Sequence, residues 1–342
     1  MTAIVTAKKV LAAGGLIIFP TETTYGAGVL ATSESAVKKL LAYKSRREGK
    51  PLSIAVADQA MAEEYVMLNE QAKKIYAQLL PGPVTVVSQA IADSVAPGVI
   101  SEFGTLGVRI PDYPFVLELV KQLGTPITAT SANGSSKPRP YSIDTVLKHL
   151  SAKQRSLIDL IIDAGELPAN PPSTVIDTTL STPVTLRQGA VTVGEQSNLT
   201  TLTTKNADET KAVAGRLCLQ HWDTLVKKGF IIALDGPLGA GKTVFAQGVA
   251  QFLGISEKIT SPTYSYVQEY PYTRYQTSGL LVHADIWKID TKEAFERLEL
   301  AKLVQPGNVL IIEWFSQVPS GLKPDIRVQL SETIDGRSLA IS

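Results

Sequence analysis

One cysteine, Cys218, and three histidines, His149, His221 and His283, are all that 342 residues offer of the side chains that build disulfides and soft-metal centres. No intramolecular disulfide can form, no zinc cluster can be assembled from cysteine, and a histidine-rich metal site is argued against. Aromatic residues make up only 6% and the formal net charge is +1, so stacking surface and electrostatic surplus for broad nucleic-acid binding are both scarce. Whole-chain charge leaves room for a local anion site without indicating one. No apolar stretch reaches the length of a membrane span. Lys8 and Lys9 before the apolar run from Val10 to Phe19 imitate a secretory signal. That run holds Gly14 and Gly15 and lacks a small-x-small cleavage site, and it reads better as a helix stopped by glycine followed by a strand. A protein of the reducing cytoplasm is expected.

What is present is ordinary globular material, 44% hydrophobic and 19% charged, in a chain long enough for two domains. The first 190 residues or so alternate apolar runs with amphipathic ones. The pattern predicts strands over Leu16–Phe19, Leu52–Val56, Val84–Gln89, Gly107–Ile110, Ile127–Thr130 and Leu160–Asp163. It predicts helices over Ser35–Tyr43, Glu70–Leu79, Pro114–Gln122 and Asp144–Leu150. A polar stretch rich in Thr, Asn, Ser and Glu reads as a linker over 194–207, between domains at 1–193 and 208–342. A second α/β unit follows, with a helix over Asp208–Lys227, a strand over Phe230–Leu234, a helix over Thr243–Leu253, and strands over Leu280–Ala284 and Val309–Ile312.

The strongest chemical signal lies in that second unit. Gly236-Pro-Leu-Gly239-Ala240-Gly241-Lys242-Thr243 fits G-x-x-x-x-G-K-[ST], with a strand before it and a helix after it. Glycines let successive backbone N–H groups converge on phosphate oxygens, and the helix N-terminus adds a favourable dipole. Lys242 then reaches the outer phosphates and Thr243 offers a hydroxyl to Mg²⁺. Glu313 and Asp285, each at the end of a predicted strand, are candidates for the acidic group that holds the metal or its waters.

With this loop, Thr260-Ser-Pro-Thr263-Tyr264, His283-Ala-Asp285-Ile-Trp287 and Ile312-Glu313-Trp314 follow in an order that resembles the TsaE family of P-loop ATPases, over about Ala207 to Arg337. The resemblance implies Glu313 with Thr243 as the magnesium site, Thr263 in a nucleotide-sensing loop, and Asp285 as a catalytic-site acid. Trp287 and Lys288 stand where the family carries tyrosine and arginine.

In the first half the chemistry is spread over separated segments. They are Pro20-Thr21-Glu-Thr-Thr24-Tyr25-Gly26, Lys44-Ser-Arg46 with Lys50-Pro-Leu52, Val108-Arg109-Ile-Pro111, Thr130-Ser131-Ala-Asn133 and Leu186-Arg187-Gln-Gly189. Most fall at predicted strand ends, where sheets present functional loops. Arg and Lys there suit a polyphosphate, and Thr, Ser and Asn can orient a small zwitterion or a ribose. With Pro81-Gly82-Pro83 and Ser173-Thr174-Val175, the set resembles the YrdC-like threonylcarbamoyl-AMP synthases over about Ile4 to Gly189. The resemblance implies a twisted mixed-sheet domain that converts L-threonine, bicarbonate and ATP into threonylcarbamoyl-AMP and pyrophosphate. By position it implies Lys44, Arg46, Ser131 and Asn133 at the nucleotide and carbamate, and Arg109 and Arg187 on phosphates. Thr21, Thr24 and Tyr25 would hold threonine, with Lys50 and Thr130 beside the substrates. The whole chain is then expected to be a bifunctional α/β protein of tRNA threonylcarbamoyladenosine synthesis, using ATP and Mg²⁺. A TsaD-like transferase and tRNA are its implied partners. The alternative is a non-catalytic RNA-binding module fused to a P-loop ATPase.

Overall fold

The computed structural model describes residues 2–44, 51–134, 137–180, 183–192, 200–262, 265–289, 291–317 and 321–342. The chain divides into two compact units, Met1–Thr179 with Pro183–Glu195 and Leu180–Thr182 with Gln196–Ser342. Both are α/β, as their alternation of apolar periods requires.

In the first unit, Ile17–Phe19 shows no polar alternation because both faces of its sheet are covered, and all three side chains are buried. It pairs antiparallel with Gly26–Gly28 and parallel with Leu160–Ile161, while Thr130–Ser131 closes the four-stranded sheet on the other edge. A larger mixed sheet runs Val184–Arg187, Thr174–Asp177, Val84–Ala90, Thr105–Arg109, Ser53–Ala55, Ile127–Thr128, with Val66–Met67 paired to Val84–Ala90. Helices follow their sequence signals closely. Glu70–Leu79 starts where Asn69 accepts a hydrogen bond from the Ala72 N–H at 2.8 Å. Pro114–Leu123 opens on proline, ends at Gly124, and buries Val116, Leu119 and Val120 on one face. The single strand expected over Ile127–Thr130 is two: Ile127–Thr128 belongs to the large sheet and Thr130–Ser131 to the small one. The chain changes sheets at Ala129, and this delivers Thr130 and Ser131 to the gap between them.

The second unit is one seven-stranded sheet in the order Thr200–Thr204, Gly336–Ile341, Ile326–Thr333, Phe230–Asp235, Val309–Glu313, Thr277–Asp285, Val267–Arg274. Phe230–Asp235, almost wholly buried, lies at its centre with parallel neighbours on both flanks. The sequence reading of 194–207 as linker is corrected at Thr200–Thr204, which pairs antiparallel with Gly336–Ile341. Leu202, its one apolar residue, and Thr204 are buried, too little hydrophobicity to stand out among threonines. Asn206, capping the Glu209 N–H at 2.9 Å, then starts the helix Ala207–Lys228. No helix among the described residues is long and apolar enough to cross a membrane.

Candidate active sites

The first unit opens a cleft where the two sheets approach. Thr21, Thr24, Arg109, Thr130 and Ser131, drawn from three separated segments, all line it, together with Thr23. Thr21 Oγ1 donates to the Thr24 carbonyl at 2.7 Å and accepts the Thr23 and Thr24 N–H groups at 3.2 Å, so the loop is a self-bonded turn with threonine hydroxyls on its inner side. Arg109, at the end of Thr105–Arg109, forms an ion pair with Glu22, and both side chains are mostly buried. That pair is half satisfied: Glu22 Oε2 and Arg109 Nε are buried without partners.

Around this cleft the expected residues divide. Lys44, at the C-terminal end of Glu34–Lys44, donates to the Ser131 carbonyl at 2.6 Å and also to that of Asn133. Ser131 Oγ donates to Asn133 Oδ1 at 2.6 Å, and Asn133 Nδ2 to the Lys137 carbonyl at 2.6 Å. These three therefore form one clamped turn along the cleft edge. Arg187 donates from Nε and Nη2 to the Ser173 carbonyl at 3.1 and 3.0 Å and from Nη2 to Ser173 Oγ at 2.9 Å. Desolvation of its head group, although the residue as a whole is exposed, holds its pKa below the ordinary value, and the charges of Arg109 and Arg139 push the same way. Arg187 thus feels the charges of two further arginines, Arg109 and Arg139. Arg139 escaped the sequence reading because nothing in Lys137-Pro-Arg139-Pro marks it apart from a surface charge. Glu22 escaped it for the same reason. Tyr25 is fully buried, donates to the Gly165 carbonyl at 2.7 Å and accepts the Ala164 N–H at 2.8 Å, so its hydroxyl is committed to the fold. Arg46 and Lys50 lie outside the described residues.

In the second unit the strand Phe230–Asp235 runs into the glycine loop and the helix Lys242–Leu253. Gly239 and Gly241 hold φ of 85° and 101°, the left-handed region that a side chain resists. Lys242 is 5% exposed and donates to the Gly236 and Pro237 carbonyls at 2.8 and 2.9 Å. Its ammonium also lies 4.0 Å from the centre of the Trp314 ring. Burial lowers its pKa, opposed by the carboxylates of Glu313, Asp285 and Asp235. Thr243 Oγ1 donates to Glu313 Oε1 at 3.1 Å, and the same oxygen meets His283 Nε2 at 2.9 Å. Asp285 accepts from Ser261 Oγ at 2.7 Å and from the Trp287 N–H at 3.1 Å, tying the Ser261-Pro262 segment to the strand end. Thr263 lies outside the described residues. His283 is the member that carried no role in the sequence reading. Alternation along Thr277–Asp285 places it on the face of Asp285, which could have flagged it.

No group of three or more His, Cys, Asp and Glu side chains among the described residues could cage a metal ion. Magnesium does not need one: a threonine hydroxyl, one carboxylate and the nucleotide's own oxygens suffice, and Thr243 with Glu313 fits that requirement.

Comparison with known proteins decides the family at this point. The family model for Sua5, YciO and YrdC proteins, described as "Telomere recombination", matches residues 9–189, more than half of the chain. The chain belongs to the Sua5/YciO/YrdC family. A second model, threonylcarbamoyl adenosine biosynthesis protein TsaE, matches residues 204–339, so a TsaE domain is fused to the Sua5/YrdC domain. The chain is 34% identical over 187 residues to the threonylcarbamoyl-AMP synthase of Bacillus subtilis, covering 54% of this chain and 53% of that one. It is 37% identical over 140 residues to the threonylcarbamoyl-AMP synthase of Serratia proteamaculans, 40% of this chain and 74% of that one. The chain thus spans about half the length of the first of these relatives. The crystal structure of Pyrococcus abyssi Sua5 complexed with L-threonine shares the fold, with a TM-score of 0.52 and 24% identity, covering 90% of this chain and 88% of that one. The TsaE match and the threonylcarbamoyl-AMP synthase relatives connect this Sua5/YrdC–TsaE fusion with threonylcarbamoyladenosine (t6A) biosynthesis.

Proposed function

We propose that the first unit is an L-threonylcarbamoyladenylate synthase and the second a Mg²⁺-dependent ATPase serving a TsaD-like transferase that modifies tRNA in the cytoplasm. The observation that carries the first assignment is the Arg109 guanidinium, which lines the cleft among Thr21, Thr23, Thr24, Thr130 and Ser131 and is backed by Glu22. A guanidinium set among hydroxyl groups complements an α-amino acid, which presents a carboxylate and an amine together. The cationic group of Arg109, Arg139 and Arg187 suits the triphosphate of ATP.

The reaction needs positioning more than acid–base groups. The threonine amine attacks the carbon of bicarbonate with loss of water, or that of CO₂ with loss of a proton, and the resulting carbamate oxygen attacks the α-phosphorus of ATP. The bond from that phosphorus to the bridging oxygen breaks and pyrophosphate leaves with the electron pair. Holding the reactants in line contributes roughly 7–11 kcal/mol of the barrier. Arginines beside the leaving phosphates stabilise their growing charge. In the second unit, Mg²⁺ would supply charge neutralisation on the outer phosphates. Thr243 and Glu313 would hold it, Lys242 would exchange its two carbonyl partners for phosphate oxygens, and His283 would fix the Glu313 carboxylate. The deciding assay mixes the purified chain with threonine, bicarbonate and ATP and follows pyrophosphate. Release should require threonine; release without it counts against the synthase.

A further inference from the structure

The hairpin Ile326–Thr333 and Gly336–Ile341 ends over the phosphate loop of the second unit. Arg337 and Glu332 face each other across it in register. A Cβ built on Gly241 would stand 2.6 Å from Arg337 Nε and 2.8 Å from its Cδ, so the root of the guanidinium lies against the loop backbone just before Lys242. That Nε is buried and has no hydrogen-bond partner. A Cβ on Gly239 would stand 3.4 Å from Glu332 Oε1, which brings the carboxylate to the loop's tip. The sheet order gives these residues a direction. Val309–Glu313, carrying the metal-side carboxylate, flanks the loop strand on one side, and Ile326–Thr333 flanks it on the other. A phosphate chain lying in the loop with its outer end toward Thr243 and Glu313 has its nucleoside end toward the hairpin.

We propose that Arg337 is a nucleotide-binding residue that grips the α-phosphate at the nucleoside end of this site, with Glu332 beside it accepting from a donor group of the nucleoside. The inference rests on the reading of the second unit as an ATP site and names side chains that add to the glycine loop's own amides at the nucleoside end of the ligand. A guanidinium with an unused N–H, its root against Gly241, donates to a phosphate oxygen without having to break an existing ion pair. A neighbouring carboxylate disfavours further phosphates there and favours hydroxyl or amine groups. Arg337 is thus the discriminator between a nucleotide and a bare polyphosphate.

Titration calorimetry on the full chain, carrying Lys44→Ala to weaken the first unit's site, compares ADP with magnesium pyrophosphate. Arg337→Ala should weaken ADP binding at the second site at least tenfold and change pyrophosphate binding less than twofold, and Arg337→Lys should recover part of the loss. Equal weakening of both ligands means that Arg337 only props the loop, and overturns the proposal. Unchanged ADP affinity overturns it as well. If Arg337→Ala melts early, Arg337→Lys and Arg337→Gln are judged by the same ratio, which a loss of folded fraction alone does not move. A parent chain whose P-loop binds neither ligand refutes the ATP-site reading, and this inference with it.

Discussion

Glu313 tests whether the second site is assembled for metal-dependent chemistry or merely for packing. Its carboxylate is 3% exposed and takes two hydrogen bonds on one oxygen, from Thr243 Oγ1 at 3.1 Å and His283 Nε2 at 2.9 Å. Glu313→Ala orphans both partners, and bonds to a charged group are worth about 1.5–3 kcal/mol each. Removal of a buried charge returns part of that, leaving a net loss of about 2–4 kcal/mol. At about 2–4 °C per kcal/mol for a unit of this size, its melting point should fall by roughly 4–16 °C. Glu313→Gln keeps a carbonyl oxygen for both donors, so its melting point should fall by no more than about 4 °C, the equivalent of about 1 kcal/mol. The isosteric amide cannot serve as an anionic metal ligand, and Mg²⁺-dependent ATP hydrolysis should fall at least a hundredfold, about 2.7 kcal/mol of barrier. Scanning calorimetry gives the first quantity, and phosphate release with added transferase gives the second. A Glu313→Gln chain that hydrolyses ATP at the parent rate refutes the metal-site reading and leaves Glu313 as a packing residue.

Arg139→Ala should raise the KM for ATP in threonine-dependent pyrophosphate release several-fold while the KM for threonine holds, since Arg139 adds to the cationic field around Arg187. Tyr25→Phe should cost about 1–3 kcal/mol, seen in chemical denaturation, because the Ala164 N–H and Gly165 carbonyl lose their partner; synthase turnover by the folded fraction should barely change. Burial holds the His221 pKa below 6.5, with Asp325 opposing. The unfolded chain therefore takes up the proton first, and the stability this group contributes is intact above pH 6.5 and lost as pH falls below it. Melting curves of the parent chain and His221→Gln between pH 7.5 and 5 should converge as the pH drops. Lys242→Ala should abolish ATP hydrolysis by the second unit and spare threonine-dependent pyrophosphate release, measured on the same preparation.

Most elements were legible because their hydrophobic period and their caps agree. Glu70–Leu79 has Asn69 before it, and Pro114–Leu123 has proline at its start and glycine at its end. Strands buried on both faces, such as Ile17–Phe19 and Val309–Glu313, announce themselves as apolar runs. The hairpin Ile326–Thr333 and Gly336–Ile341 and the strand Thr200–Thr204 do not. Ile326–Thr333 alternates buried with exposed residues, and only Leu339 of its partner is buried. Thr200–Thr204 acquires its strand character from pairing with residues far away in sequence. Long-range pairing of polar threonines leaves no local trace.

The same contrast separates the two sites. A phosphate loop is a local object: its amides come from consecutive residues, its glycines are fixed by φ values that only glycine adopts freely, and eight neighbouring letters suffice to read it. The first unit's cleft uses side chains from Thr21, Arg109 and Thr130, and its chemistry exists only where two sheets meet. Sequence order could name the right segments through their resemblance to a family, yet it could not say that Tyr25 spends its hydroxyl on the fold or that Glu22 shares the Arg109 charge. Both facts turn on which side of a short turn a side chain takes. The Thr21–Thr24 turn sets that choice, through hydroxyl bonds to its own backbone. Replacing Thr21 with valine keeps the shape and removes those bonds. It should therefore damage threonine use through loss of loop geometry, raising the KM for threonine more than that for ATP. An equal rise in both would show that the turn serves the whole cleft rather than its amino-acid end.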